Sequence, residues 1–105
     1  MAPLALIGTI EVAPGRREEV IARLMEHRAR CLRDEPGTLQ FEVLAPRESE
    51  TTVHAYEVYR DDAAFDVHRS SASIARWREE TAGMVVKVSI IRCALVESSA
   101  TVAHT

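Results

Sequence analysis

The stretch YEVYRDDAAFDVHRSS, Tyr56 to Ser71, holds most of the residues in this chain that could move a proton. His68 stands three residues after Phe65 and four after Ala64, so on a helix the three share one face. An imidazole can take a proton from a phenol or from a carbon α to a carbonyl, or donate to a developing enolate. The plainer reading of His68 is a histidine hydrogen-bonded to backbone near Ser70. Glu57 is a second candidate. If its strand face meets the helices, burial without a partner disfavours its charge and suits a general acid or base; paired with an arginine or His68, it is an orienter. Three of the five aromatic residues, Tyr56, Tyr59 and Phe65, lie just upstream of His68, and Trp77 follows one short helix later. These four are the candidate substrate-binding walls. Trp77 serves equally as core, and Tyr56 as interface packing.

Other chemistries lack their signatures. Four scattered histidines and two lone cysteines, Cys31 and Cys93, give no HxxxH or CxxC spacing, so no metal is expected. There is no GxGxxG or GxxxxGK[ST] loop for a nucleotide phosphate and no GxSxG elbow for serine hydrolysis. A net charge of −3 and a pI near 5.8 give no electrostatic footprint for nucleic acid. The sequence has no apolar run of membrane-spanning length, and MAPLALIG lacks the basic start of a signal peptide. A cytoplasmic protein with reduced cysteines is the expectation, with Cys31 a small core residue. What remains is proton chemistry without a cofactor in an apolar pocket, acting on a small molecule.

The positioning elements follow from periodicity. LALIGTIEV, residues 4–12, is an apolar strand ending at Pro14 and Gly15. A helix over roughly 16–34 opens with Glu18 and Glu19, where the dipole favours anions. Its stripe is Val20, Ile21, Leu24, Met25, Cys31 and Leu32, with His27 nearby, and Pro36-Gly37 stops it. TLQFEVL alternates, with Leu39, Phe41 and Val43 on one face. Residues 52–60 form a third strand with Val53, Ala55, Glu57 and Tyr59 on one face, and His54, Tyr56 and Val58 on the other. Asp61 caps a short helix, the serines at 70, 71 and 73 break it, and ASIARWREETA forms another that Gly83 closes. Residues 85–96 are the last strand. The order β-α-β-β-α-α-β specifies an α+β ferredoxin-like sandwich with an antiparallel sheet, one domain over 1–97 and a flexible tail over 98–105. The helices cover one sheet face; a homodimer packing sheet against sheet would cover the other.

Three segments, I-x-V-x-P-G at Ile10–Gly15, E-P-G-x-L-x-F-x-V at Glu35–Val43 and Y-E-V-Y-x-D-x-x-A-F-x-x-H at Tyr56–His68, together resemble the antibiotic biosynthesis monooxygenase (ABM) domain. The resemblance spans about residues 4–96 and implies a dimeric α+β barrel with a pocket in each subunit. Members include oxygenases of quinols or polyphenols that need no metal, flavin or haem. Others are isomerases of a phosphorylated dicarbonyl in autoinducer-2 breakdown, and FEVLAP…HAYEVYRDDAAFDVH is most similar to that subgroup. Two departures matter. Where relatives carry H-x-x-T-P-H, this chain has Ser73 in place of the second histidine, and the helix SIARWREET lacks the histidine of haem-degrading relatives. The leading expectation is therefore a cofactor-independent monooxygenase of a quinol-like or polyketide-like aromatic, with His68 and Glu57 catalytic. The alternatives are an isomerase, with Arg28, Arg60 or Arg78 clamping an anionic group, and a non-catalytic dimer that binds a small apolar ligand.

Overall fold

The computed structural model describes residues 3–99. The expected tail 98–105 lies outside them, except Ser98 and Ser99. The order is β1 (Leu4–Val12), α1 (Arg17–Asp34), β2 (Thr38–Leu44), β3 (Thr52–Tyr59), α2 (Asp62–Arg69), α3 (Ala72–Glu80) and β4 (Val85–Ala94). The strands form one antiparallel sheet in the order β2-β3-β1-β4, the ferredoxin-like arrangement the element order requires. Among the described residues no helix is long and apolar enough to cross a membrane.

The core lies between one sheet face and the helices. Val20, Leu24 and Cys31 of α1 pack with Ile10 and Val12 of β1, Phe41 of β2 and Val53 and Ala55 of β3. The α1 stripe is narrower than its periodicity suggests: Met25 and Leu32 are exposed, and His27 is buried in their stead. Helix α1 packs on β2 and β3 and against α3, so the β1–β4 half of the sheet is left without a helix directly over it. Val88 and Ile90 of β4 stay half-exposed as a result.

Local chemistry sets the elements that matter most for function. Proline disfavours the α conformation in the residue before it. Glu35, preceding Pro36, is accordingly extended (φ −116°, ψ 95°), and α1 ends with the Glu35 N–H donating to Cys31 O. In β2, Thr38 faces Tyr59 and Gln40 faces Val58, so Leu39 is the extra residue of a bulge. Leu39 thereby leaves the inward face expected of it, and Thr38 is buried in its place. Asp61 accepts the Ala64 N–H at 2.8 Å to cap α2, and Ser71 accepts the Ile74 N–H to cap α3.

The far sheet face also departs from expectation at one position. Val58, placed there as an exposed apolar residue, is buried, flanked in the ladder by Ala5 and Gln40. The exposed apolar residues of that face include Ile7, its β4 partner Ile91 and, on β2 opposite His54, Leu44.

Helix α2 crosses close over the Pro36-Gly37 turn. A β-carbon on Gly37 would sit 2.4 Å from Cβ of Ala64, and the Gly37 carbonyl accepts the Arg60 N–H. Overpacking of this kind typically costs about 1–3 kcal/mol. Gly37→Ala should lower the urea midpoint by the corresponding amount, and an unchanged midpoint would mean that α2 does not bear on this turn.

Candidate active site

Strand alternation and the α2 face converge beneath α3. Glu57 projects inward from β3, while Phe65 and His68 project from the buried face of α2. With Trp77 of α3 and Leu6, Ile10, Val88 and Ile90 of the sheet they line a cavity of about 530 Å³, a size that suits a small organic ligand. Its walls are mostly apolar. The polar groups on it include His27, Glu57, His68, Arg69 and Arg78.

His68 is anchored through one ring nitrogen. Its Nδ1 lies 2.9 Å from Glu35 Oε1, which also accepts the Thr38 hydroxyl at 3.0 Å. Both partners are buried. A carboxylate at that distance accepts the Nδ1–H, so the other ring nitrogen carries the lone pair. Nε2 lies 3.8 Å from Glu57 Oε1, beyond hydrogen-bond reach. The Tyr59 hydroxyl donates to that same Glu57 oxygen. Burial raises the Glu57 pKa, against the opposing pull of the Tyr59 hydrogen bond and of His68. Burial and the Glu57 carboxylate push the Tyr59 phenol well above its usual range, so it remains a donor.

Of the residues expected from sequence, His68, Glu57, Phe65 and Trp77 reach the cavity. Tyr59 does not line it. The residue is fully buried behind the wall, its ring packed on Phe65 and His68 with centroids 5.3 and 5.2 Å away. Tyr56 is a correction: with Glu57 turned inward, alternation turns Tyr56 to the far face, beside Ile7 of β1 and Glu42 of β2. Among the arginines, Arg78 reaches the cavity, whereas Arg28 donates to Phe41 O and pairs with Glu42, and Arg60 pairs with Asp61.

Three participants were not singled out from the sequence. Glu35 and Thr38 are one, as a unit, and lie 33 and 30 positions before His68 in the chain. His27 and Cys31 are the others. Their HxxxC spacing on one helix was the available signal, because i and i+4 share a helical face. His27 Nδ1 is 2.8 Å from Ser73 Oγ, and burial, with His68 and Arg30 nearby, lowers its pKa to about 4. Burial and the Glu35 carboxylate push the Cys31 thiol up to about 12, so it is no nucleophile at neutral pH. His27, Cys31 and His68 each offer one donor atom, all within 4.8 Å of one another. The set does not fit a metal ion: Cys31 Sγ lies 3.5 and 3.6 Å from the two His27 ring nitrogens, hence over the ring face, and His68 Nδ1 is directed at Glu35.

The His27 shift has a sign that can be checked. A histidine whose folded pKa is depressed stabilises the fold above its unfolded value, near 6.5, and that contribution is lost as pH falls toward about 4. With a chelator present, stability should drop by on the order of 3 kcal/mol across that window. Denaturation curves of His27→Gln should show a flatter slope there; an unchanged slope would place the protonation elsewhere.

The chain matches the family model described as "Antibiotic biosynthesis monooxygenase" over residues 3–80. No curated protein matches it. Among solved structures, a protein from Bacteroides thetaiotaomicron, provisionally designated an antibiotic biosynthesis monooxygenase, is 28% identical with a TM-score of 0.83, covering 93% of each chain. PA3566 from Pseudomonas aeruginosa is 29% identical with a TM-score of 0.83, covering 92% of this chain and 97% of its own. A Caulobacter crescentus protein at 18% identity and a TM-score of 0.85, covering 91% and 92%, shares the fold. With 78 consecutive residues under the family model, the chain belongs to the antibiotic biosynthesis monooxygenase family.

Proposed function

We propose that this protein is a monooxygenase that oxidises a quinol-like or polyketide-like aromatic by deprotonating it and letting the anion react directly with O₂. The observation that carries the reading is His68: Nδ1 is committed to Glu35, and the ring lies on the cavity wall with Nε2 unblocked. Nε2 takes a proton from a phenol or an activated carbon of the substrate. The carbanion gives an electron pair to O₂ and forms a peroxide; loss of water leaves a carbonyl, with one oxygen atom in the product and the other in water. Glu57, 3.8 Å from Nε2, stabilises the imidazolium formed in this step. The apolar walls at Phe65, Trp77 and Ile90 keep water from competing. Trp77 adds its ring to the wall, and its Nε1 is buried without a hydrogen-bond partner among the described residues. Family membership and the designations of the structural neighbours support a monooxygenase-like activity.

A second reading has its own observation. Arg69 and Arg78 border the cavity, which suits an anionic group on a dicarbonyl substrate of an isomerase using the same base. Oxygen uptake separates the two: a panel of hydroquinones in chelated buffer should consume O₂, whereas proton exchange into a phosphorylated dicarbonyl without uptake would select the isomerase. His68→Gln should keep the fold and slow uptake by about 10²–10⁴-fold. A stable His68→Gln protein with unchanged turnover would remove His68 from the chemistry. Glu35→Gln presents an amide that can donate to Nδ1, which moves the ring proton to Nε2. It should slow turnover by at least about 10²-fold with little change in melting temperature.

We also infer a homodimer. Ile7 and Ile91, paired across β1 and β4, leave exposed apolar surface on the far face that a second copy would cover. Sedimentation should give a dimer at micromolar concentration, and Ile91→Glu should weaken it by about tenfold or more; a wild-type monomer would end this reading.

A further inference from the structure

The reaction proposed above is carried by Glu35, Glu57 and His68 and leaves three arginines beside the cavity without a task. Arg69 and Arg78 line the cavity itself. Arg92 follows Val88 and Ile90 on the same face of β4, since alternate residues of a strand share a face. Its guanidinium stands over the Phe65 ring, 5.0 Å from the centroid, and that of Arg69 stands over the same ring at 5.5 Å. Phe65 is a cavity wall, so two cations are held against one wall and a third borders the space.

The charges at the two ends of the cavity differ. The side chains of Glu57 and His68 are only 13% and 5% exposed, with Glu35 bonded to the imidazole, whereas Arg69, Arg78 and Arg92 are exposed. Most arginines of this chain have partners of their own, as Arg23 has Glu26 and Arg28 has Glu42. Arg69 gives one nitrogen, Nη2, to Asp66. Arg78 and Arg92 form no ion pair or side-chain hydrogen bond among the described residues, although Asp62 shares a shallow depression with Arg92. A guanidinium without an acidic partner keeps its whole planar fork for a ligand, and that fork matches a carboxylate bidentately.

We propose that Arg78 and Arg92, with Arg69 beside them, anchor a carboxylate carried by the substrate, so that this cavity takes a hydroxylated aromatic acid. The acid group stays among the arginines, and the hydroxyl that loses its proton reaches His68. The reverse orientation would set the carboxylate against Glu35 and Glu57, which repel it. A carboxylate conjugated to the ring adds little thickness to a flat ligand, which suits walls made by the Phe65 and Trp77 rings. The role of the hydroxyl rests on the function proposed above; the anchoring of the carboxylate does not. Because the carboxylate is held equally before and during proton transfer, the arginines should act on KM and leave kcat alone.

The test compares 2,5-dihydroxybenzoate with 2,5-dihydroxybenzamide, a neutral counterpart of the same shape, by calorimetric titration of the full chain without oxygen. The acid should bind at least about tenfold more tightly at low salt, and added salt should erase most of that preference. Arg78→Gln and Arg92→Gln should each weaken the acid by about tenfold and leave the amide's affinity unchanged. Arg76→Gln, whose arginine pairs with Glu80 outside the cavity lining, should behave as the wild type. Equal affinities for acid and amide, no binding of either, or an acid preference that survives in the variant carrying both Arg78→Gln and Arg92→Gln overturns the anchoring. If a variant fails to fold, the acid and amide titrations of the wild type decide. With oxygen admitted, Arg78→Gln should raise KM for the acid about tenfold and keep kcat within about twofold. A fall in kcat at unchanged KM would also overturn the anchoring. Tight binding of the acid without any O₂ uptake would count against the proposed function alone, because the anaerobic titration does not depend on turnover.

Discussion

The buried hydrogen bond between Glu35 and His68 is the contact on which the remainder of the site depends. It joins the end of α1 to the last turn of α2 over 2.9 Å, and both groups are buried. An unpaired carboxylate or imidazole there would carry its full desolvation penalty, so each makes the other tolerable. Neighbouring contacts serve that pair. Pro36 holds Glu35 out of the helix, the bulge at Leu39 turns Thr38 inward to bond it, and Gly37 lets Ala64 approach so that α2 sits low enough to reach.

The same corner explains why several ionisable groups can share a small volume. Glu35 and Glu57 flank the His68 ring from its two nitrogens, and Tyr59 supplies a hydrogen bond to Glu57 from behind the cavity wall. Each carboxylate thus faces a donor or a potential cation. The apolar walls come from the sheet and α3, and the gap they leave over β1 and β4 is the cavity itself. The candidate site lies where the helical layer is incomplete.

Much of this was legible in the sequence. Alternation in residues 53–59 grouped Glu57 and Tyr59 on one face, Asp61 and the serines at 70, 71 and 73 announced the two helix starts, and the spacing of Ala64, Phe65 and His68 predicted a shared face that the structure has. The same alternation argued against Tyr56 as a pocket residue, since neighbours on a strand oppose each other. The contacts that span many residues were not legible. Nothing local in Glu35-Pro36-Gly37 states that its carboxylate meets a ring 33 positions later, because that depends on how α2 crosses the turn. The bulge at Leu39 was hidden too: a regular alternating pattern masks one extra residue, and only the pairing with β3 reveals it. His27 and Cys31 were visible as a spacing, but their third companion comes from another helix.

The central claim is that Glu35 fixes the His68 ring with the proton on Nδ1 and a free lone pair on Nε2, facing the cavity. Long-range nitrogen–proton correlation spectra of the ¹⁵N-labelled, chelated protein near neutral pH read this directly. The account predicts one histidine whose Nδ1 is protonated and whose Nε2 resonates as an unprotonated nitrogen, a pattern lost in Glu35→Gln. A His68 ring carrying its proton on Nε2 in the wild-type protein would contradict it.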